Sequence, residues 1–249
     1  MILKLLKNKN ALVTGSNRGI GKEIIKVFAE NGASIWACAR KKNKSFSDNI
    51  KNLAKVHSVV IKPLYFDINN ISEVKKAFNE IYKEKKTIDI LVNNAGVSHA
   101  GLFQMTSLEK IKEIFNTNFI AQVSIIQFAS KFLIRQKKGV IVNLTSVVGI
   151  DGYTGNVAYG SSKAAFINFT KTLVKELSQF GIRVNGVAPG MTQTSMADEF
   201  GKNTREIMLK ENPLKRLAEP REIANVVLFL SSELSSYVNG QIIRVDGGL

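Results

Sequence analysis

The stretch TGSNRGIG (14–21) decides the fold, because it joins the first apolar run, NALVT (10–14), to an amphipathic run at 19–31. Its glycine spacing, G-x-x-x-G-x-G, differs from the common G-x-G-x-x-G fingerprint. In both patterns glycine lets the backbone turn sharply and approach a pyrophosphate, which a helix N-terminus then holds. A strand before the glycines and a helix after them favour this interpretation over a plain turn. The predicted phosphate loop comprises Gly15, Ser16, Asn17, Arg18, Gly19, Ile20 and Gly21.

Apolar and amphipathic runs alternate along the chain. Strands are predicted at 10–14, 34–39, 58–66, 88–93, 139–145, 182–188 and 241–245. Helices are predicted at 19–31, 46–56, 71–86, 107–136, 155–180 and 219–232, with a weaker one near 195–211. The apolar runs are continuous, as in strands that are covered on both faces. The pattern predicts one α/β domain over 1–249, a Rossmann-like doubly wound fold with a seven-stranded parallel sheet and helices on both faces.

Composition narrows the class of protein. No apolar run has the length of a membrane helix, and MILKLLKNKN (1–10) is too short and lysine-rich for a signal peptide, so we expect a cytoplasmic protein that binds no membrane. One cysteine and two histidines exclude an internal disulfide and predict no metal site. The net charge of +15 leaves open an acidic partner, phosphorylated ligands, nucleic acid, or lysines that are merely solvated. We expect no specific nucleic-acid binding, because no nucleic-acid motif is present.

The end of the second strand indicates which nicotinamide cofactor binds. An acidic side chain there would bond the ribose hydroxyls of NAD(H) and repel a 2′-phosphate, but this chain has Ala39 and Arg40. A guanidinium matches phosphate oxygens, and Arg18 could reach the same place, so the sequence favours NADP(H). A solvated loop arginine is the alternative.

Two further strand ends supply candidate cofactor contacts. Asp67 and Ile68 follow the third strand, and Asp67 could hydrogen-bond adenine or cap the next helix. Asn94, Ala95 and Gly96 follow the fourth strand, beside the topological switch point where such sheets bind ligands. A simple strand-to-loop turn is the alternative for the second group.

The run AYGSSKAAF (158–166) places Tyr159 and Lys163 one helical turn apart, about 6 Å along the axis. Tyrosine titrates near pH 10, so acid–base work near neutrality requires a pKa lowered by about 2–3 units. A nearby ammonium, with an oxidised nicotinamide adding positive charge, can supply stabilisation of that order in a partly dry cleft. Taken alone, this spacing more often marks a tyrosine beside a solvated lysine.

Two more polar residues accompany this pair. Ser146 ends the fifth strand, where its hydroxyl could orient a carbonyl oxygen or cap the following turn. Asn118 lies within the predicted helix 107–136, where asparagine usually faces solvent. A buried asparagine bonded to backbone or water could instead complete a path for protons.

Taken together, the motifs resemble those of the short-chain dehydrogenase/reductase family over essentially all 249 residues. The resemblance implies that Tyr159 donates a proton to a carbonyl oxygen and that Ser146 steadies that oxygen. It implies that Lys163 lowers the pKa of Tyr159 and binds the nicotinamide ribose, while Asn118 holds a water that links Lys163 to solvent. The segment VAPGMTQT (187–194) resembles the part of the family that meets the nicotinamide, which adds the candidates Pro189, Gly190, Thr192 and Thr194.

Within the family, the run from 213 to 248 is similar to bacterial 3-oxoacyl-[acyl-carrier-protein] reductases. This implies NADPH-dependent reduction of a carrier-linked carbonyl substrate in fatty acid synthesis, and a homotetramer. Lys137 and Lys138 could bind the acidic carrier near the active-site entrance, although Phe180 stands where an arginine is expected. His99 could contact substrate or be solvated.

Two alternatives remain open from the sequence. The chain could act on another small alcohol or ketone, such as a sugar, polyol or steroid-like substrate. It could also be an NADP(H)-sensing protein without turnover, although Ser146, Tyr159 and Lys163 would then have no purpose. The polar segment near 191–212 is predicted to be a lid-like insertion over the substrate.

Overall fold

The computed structural model describes residues 4–197 and 209–249. Within these residues seven strands form one parallel sheet, as predicted, and their order is β3-β2-β1-β4-β5-β6-β7. Because the order reverses between β1 and β4, a crevice opens at the carboxyl ends of these two strands. The strands are β1 (Asn10–Val13), β2 (Ser34–Ala39), β3 (Ile61–Tyr65), β4 (Ile90–Asn93), β5 (Gly139–Leu144), β6 (Ile182–Pro189) and β7 (Ile242–Val245).

The helices also follow the predicted order, with one difference. They are α1 (Gly19–Glu30), α2 (Lys44–His57), α3 (Ile71–Lys83), α4 (Leu108–Phe115), α5 (Ala121–Gln136), α6 (Val157–Leu177) and α7 (Pro220–Ser231). The run 107–136 is not the single helix that was predicted, because a π-helical turn, Asn116–Ile120, separates α4 from α5. Residues 198–208, which are the greater part of the weaker helix expected near 195–211 and half of the lid-like segment 191–212, lie outside the described residues. None of the described helices has the length and apolar character needed to cross a bilayer.

The two faces of the sheet carry separate cores. On one face α1, α2 and α7 cover strand residues that include Val13 and Val92. On the other face α3, α5 and α6 cover their neighbours, such as Leu12 and Leu91. Successive strand residues point to opposite faces, so a strand covered on both sides has no polar position in its middle. This explains the continuous apolar runs in the sequence.

A buried chain of polar side chains joins the sheet to α6. The Asn93 amide donates to Asn143 Oδ1 (2.9 Å), and the Asn143 amide donates to Thr170 Oγ1 (2.9 Å). Thr170 in turn donates to the carbonyl of Phe166 (2.7 Å). Asn93 and Asn143 are direct partners in the register of β4 and β5. The network therefore fixes α6, which carries Tyr159 and Lys163, relative to two central strands.

Candidate active site

The loop between β1 and α1 has the conformation that its glycines allow. Gly15 has φ +67°, and a Cβ built there would lie 2.9 Å from Ala95 Cα. A Cβ on Gly21 would lie 2.2 Å from the Gly15 carbonyl oxygen, so α1 packs directly on the loop. Arg18 at the N-cap provides no side-chain acceptor, and the first turn of α1 holds no acidic residue. The helix N-terminus therefore suits an anionic ligand such as a pyrophosphate.

A threonine that the sequence analysis did not single out holds this loop against β4. The Thr14 hydroxyl accepts hydrogen bonds from the backbone N–H groups of Asn94 (2.9 Å) and Ala95 (3.0 Å). The Asn94 amide donates to the carbonyls of Thr14 (3.0 Å) and Gly15 (3.2 Å). Thr14 and Asn94 thus lock the glycine loop to the end of β4 on the other side of the switch point.

We expect Gly21→Ala to weaken binding of a nicotinamide dinucleotide such as NADPH about tenfold or more, because the added methyl group would displace the Gly15 carbonyl or the Asn94 amide. Overpacking of this kind costs about 1–3 kcal/mol. Gly152→Ala is the matched control, since a Cβ there meets nothing within 4 Å. Fluorescence titration with NADPH measures the effect. Wild-type affinity in Gly21→Ala would contradict the proposed role of the loop.

A cleft of about 690 Å³ runs along the carboxyl edge of the sheet. Three predicted site residues do not line it: Ser16, whose hydroxyl donates to the Val13 carbonyl (2.6 Å), Gly21 and Asn118. The others do line it: Gly15, Asn17, Arg18, Gly19, Ile20, Arg40, Asp67, Ile68, Asn94, Ala95, Gly96, Ser146, Tyr159, Lys163, Pro189, Gly190, Thr192 and Thr194.

One end of the cleft is basic. Arg18 and Arg40 both line it, together with Lys41 and Lys42 directly after β2. Asp67 lines the same end, and its carboxylate accepts a hydrogen bond from the backbone N–H of Asn69 (2.9 Å). The alternative that Asp67 caps the next helix is wrong, because Asn70 provides the N-cap acceptor of α3. This end combines positive charge with one acidic group beside the sheet.

The candidate catalytic residues meet at the middle of the cleft. The Ser146 hydroxyl hydrogen-bonds the Tyr159 phenol and also accepts from the backbone N–H of Val148 (3.3 Å). The Lys163 ammonium lies 5.9 Å from the centre of the Tyr159 ring and donates to the Leu144 carbonyl (2.7 Å). Ser146 therefore caps a turn, as one of the two alternatives had it, and its contact with the phenol leaves the orientation of a carbonyl oxygen as a prediction.

Burial shifts the pKa of both residues of this pair. Burial raises the pKa of Tyr159 above its ordinary value, and the hydrogen bond from Ser146 opposes this only in part. Burial also lowers the pKa of Lys163 to about 8. Burial therefore opposes the lowering of the Tyr159 pKa that the family resemblance implied for Lys163, and that role stays a prediction for the site with an oxidised cofactor bound. A phenol with a raised pKa stays protonated at neutral pH, as a proton donor must.

Asn118 sits in the π-helical turn and is fully buried. Its side chain makes a reciprocal pair with Val97, because Oδ1 accepts from the Val97 N–H (2.9 Å) and Nδ2 donates to the Val97 carbonyl (2.9 Å). Nδ2 also donates to the Ser162 hydroxyl (3.1 Å), which donates to the Tyr159 carbonyl (2.7 Å). Asn118 thus ties the loop after β4 to the helix that carries Tyr159 and Lys163.

The segment after β6 closes the far side of the cleft. A Cβ on Gly19 would lie 3.2 Å from Thr194 Cγ2, so this segment touches the glycine loop. The Thr192 hydroxyl donates to the Gly190 carbonyl (3.1 Å), which keeps the backbone turned. The predicted residues of this segment and the glycine loop therefore belong to one continuous cleft.

Four residues that the sequence analysis weighed in connection with carrier or substrate binding lie outside the cleft. Lys137 and Lys138 precede β5, and Phe180 precedes β6, so all three lie at the amino edge of the sheet. Ser146 follows the same strand β5 at its other end, about 20 Å away at 3.3 Å per residue. Within one chain, the two lysines are therefore not at the entrance of the cleft. His99 does not line the cleft and faces the Thr106 hydroxyl at 3.5 Å.

The substrate end of the cleft includes residues that the sequence analysis did not single out, although Met191, Met196 and Glu211 belong to the predicted lid-like segment. Tyr153, Glu211 and Leu249 line it, along with Met191 and Met196. Tyr153 lies between Ser146 and Tyr159 in the sequence, and this position could have indicated that it lines the cleft. Leu249 is distant in sequence and reaches the cleft only through the fold.

Known proteins match this chain over nearly its whole length. Residues 14–249 match a model of the short-chain dehydrogenases that is described as enoyl-(acyl carrier protein) reductase. The chain belongs to the short-chain dehydrogenase/reductase family. A member of this family from Aquifex aeolicus, the 3-oxoacyl-[acyl-carrier-protein] reductase FabG, is 40% identical over 98% of both chains. A 3alpha-hydroxysteroid dehydrogenase from Mediterraneibacter gnavus is 38% identical over 98% of this chain and 97% of that protein.

Solved structures of short-chain dehydrogenases/reductases superpose closely on this fold. A 3-oxoacyl-[acyl-carrier protein] reductase with bound NAD from Brucella melitensis has a TM-score of 0.89 at 29% identity, covering 99% of this chain and 93% of that one. A gluconate 5-dehydrogenase from Burkholderia cenocepacia in complex with NADP and tartrate has a TM-score of 0.91 at 28% identity, covering 99% and 96%. This chain is accordingly an oxidoreductase of hydroxyl and carbonyl groups that uses a nicotinamide cofactor.

Proposed function

We propose that the chain reduces 3-oxoacyl thioesters with NADPH, and that an acyl carrier protein presents them. The observation that carries the chemistry is the meeting of Ser146, Tyr159 and Lys163 in the wall of a cleft that begins at the glycine loop. The substrate class is supported by the 40% identity to a FabG reductase over 98% of both chains. The net charge of +15 suits an anionic carrier.

The chain's own residues divide the work along the cleft. When bound, NADPH supplies the hydride that reduces the carbonyl carbon. Gly15, Gly19 and the N-terminus of α1 would hold its pyrophosphate, and Lys163 would hold its nicotinamide ribose. Ser146 orients the substrate oxygen, and Tyr159 donates the proton that this oxygen takes up as it becomes a hydroxyl.

Asn118 completes the site without touching the cleft. Its buried bonds to Val97 and Ser162 hold α6 and the loop after β4 in a fixed relation. A Cβ on Gly96 would lie 3.2 Å from Asn118 Oδ1 and 3.7 Å from Lys163 Nζ, so Gly96 keeps the space between the amide and the ammonium clear. We propose that a water in this space links Lys163 to solvent and renews the proton of Tyr159.

The deciding experiment is a steady-state comparison with NADPH of acetoacetyl thioesters on carrier protein and on coenzyme A against simple ketones. We expect kcat/KM to be highest for the carrier-linked thioester. Equal values for the two thioesters would remove the carrier from the proposal. Higher activity on a sugar acid or hydroxysteroid, the substrate types named for two of the similar proteins, would replace the thioester with that substrate.

The preference for NADPH depends on the basic end of the cleft, and Arg40→Asp tests it. The substitution should weaken NADPH binding about 100-fold and NADH binding far less, because only NADPH carries the 2′-phosphate that a guanidinium would bind and a carboxylate would repel. Lys51→Asp makes the same charge change on α2, at a residue that does not line the cleft, and should affect both cofactors little. An equal loss for NADPH and NADH in Arg40→Asp would refute the phosphate contact.

We also propose a homotetramer. Phe119 and Phe169 are incompletely buried and stack edge to face, with ring centres 5.9 Å apart, near the surface of the π-helical turn and α6. Aromatic side chains in such positions are typical of subunit interfaces. Light scattering should give a mass of four chains, and a monomeric mass would contradict the assembly.

A further inference from the structure

A short loop connects Ser146 to Tyr159, the two residues proposed to contact the substrate oxygen. Ser146 begins it, a tight turn follows in which the Asp151 N–H donates to the Val147 carbonyl (2.8 Å), and Tyr159 lies two residues into α6. Tyr153, at the middle of this loop, lines the substrate end of the cleft. The loop therefore contributes to the shape of the substrate end, and the chain connects it directly to both Ser146 and Tyr159.

Arg244, at the end of β7, holds this loop to the C-terminal segment. Its Nη1 donates to Asp151 Oδ2 (2.6 Å), and its Nε donates to Asp246 Oδ2 (2.7 Å). Its Nη2 donates to the carbonyl of Leu249 (2.5 Å), a residue that also lines the cleft. One guanidinium thus joins two walls of the substrate end, one with Tyr153 and one with Leu249.

The second carboxylate of this cluster is part of the cleft's framework. The Asp246 side chain is only 7% exposed, and its Oδ1 accepts from the Gly248 N–H (3.1 Å). A Cβ on Gly190 would lie 2.8 Å from Asp246 Cα, and the Gly190 N–H donates to the Val245 carbonyl (2.9 Å). Through Asp246, Arg244 therefore connects the loop between Ser146 and Tyr159 to Gly190, which directly follows β6.

We propose that Arg244 is a positioning residue for the carbonyl substrate, which holds Tyr153 and Leu249 at the separation that the substrate requires. It acts through Asp151 and Asp246 and does not itself line the cleft. A surface ion pair alone contributes little to stability, but a guanidinium that bonds two carboxylates and a carbonyl fixes geometry as well as charge. The inference rests on the proposed carbonyl reduction for its kinetic test only.

The test compares Arg244→Met with Arg221→Met. Arg221 also bonds two carboxylates, those of Glu23 and Glu30, but joins α1 to α7 away from the substrate end. We expect Arg244→Met to raise the KM for the carbonyl substrate about tenfold, with a smaller fall in kcat and with the NADPH Kd within about twofold of wild type. Arg221→Met should lower the melting temperature without moving this KM, and Arg244→Lys should fall between wild type and Arg244→Met.

A second measurement keeps the two proposals separable. Hydrogen exchange of the backbone amides of 147–156 should become faster in Arg244→Met and in Asp151→Asn, whether or not a thioester is the substrate. If the substrate is a carbonyl compound other than a thioester, and Arg244→Met raises both its KM and the exchange of the loop, the positioning role stands and the proposed substrate class fails. An unchanged KM in Arg244→Met, whatever the exchange, or a KM shift of the same size in Arg221→Met, would overturn the positioning role.

Discussion

Tyr159→Phe should reduce kcat about 1,000-fold while NADPH binds within about threefold of the wild-type affinity. The substitution removes only the proton donor, and positioned acid–base groups contribute about 10²–10⁴ to rate. The hydrogen bond between the phenol and Ser146 is lost at the same time, but no cofactor contact of the glycine loop changes. Stopped-flow hydride transfer, followed as loss of NADPH absorbance, measures the effect directly.

Tyr65→Phe is the matched control for this prediction. The Tyr65 hydroxyl also pairs with a serine hydroxyl, that of Ser47 (3.1 Å), but Tyr65 belongs to β3 and does not line the cleft. It should keep wild-type kcat. Substantial activity in Tyr159→Phe, within about tenfold of wild type, would show that another group donates the proton.

Lys163→Met should lower kcat about 100-fold or more, because it removes the ammonium beside the phenol and the proposed ribose contact. The pH profile adds a second signature. Since burial lowers the pKa of Lys163 to about 8, the group is charged below that pH and neutral above it. The kcat/KM for reduction, which reports groups of the free enzyme, should therefore fall as pH rises through about 8, while Tyr159, with its raised pKa, is still protonated.

Comparison with Lys171→Met separates this effect from damage to α6. Lys171 lies on the same helix but is exposed. Its replacement should change neither kcat nor the alkaline limb of the pH profile, which is the fall in kcat/KM near pH 8. The limb near pH 8 should be missing from the residual activity of Lys163→Met. A limb that persists unchanged in that variant would assign the titration to another group.

The sequence predicted the fold and most of the cleft because both depend on position along strands. Each motif follows a strand, and the carboxyl ends of parallel strands share one edge, so Gly15, Asn94 and Ser146 had to converge. The same rule would have excluded Lys137 and Lys138 from the entrance, since they precede β5. The error arose from giving charge more weight than the direction of the strand.

Other features depend on packing that spacing does not encode. The π-helical turn at Asn116–Ile120 was missed because the surrounding apolar period suits an ordinary helix. The turn places the Asn118 side chain in hydrogen bonds with the backbone of Val97, a contact that the sequence pattern does not encode. The raised pKa of Tyr159 follows from burial, whereas the distance to Lys163 suggested the opposite shift. Tyr153 and Leu249 line the same cleft only after the chain has folded.

The polar chain from Asn93 through Asn143 to Thr170 has a consequence for how the protein folds. Parallel strands have no hairpin to fix their alignment, and a slip of one residue would turn every side chain to the opposite face. In this sheet such a slip would also bury amide groups without partners, at about 1–3 kcal/mol each. We therefore expect the hydrogen bonds of the two asparagines to lower the free energy of the native register of β4 and β5 relative to a shifted one. An intermediate with the wrong register would be destabilised at the strands against which α6 packs.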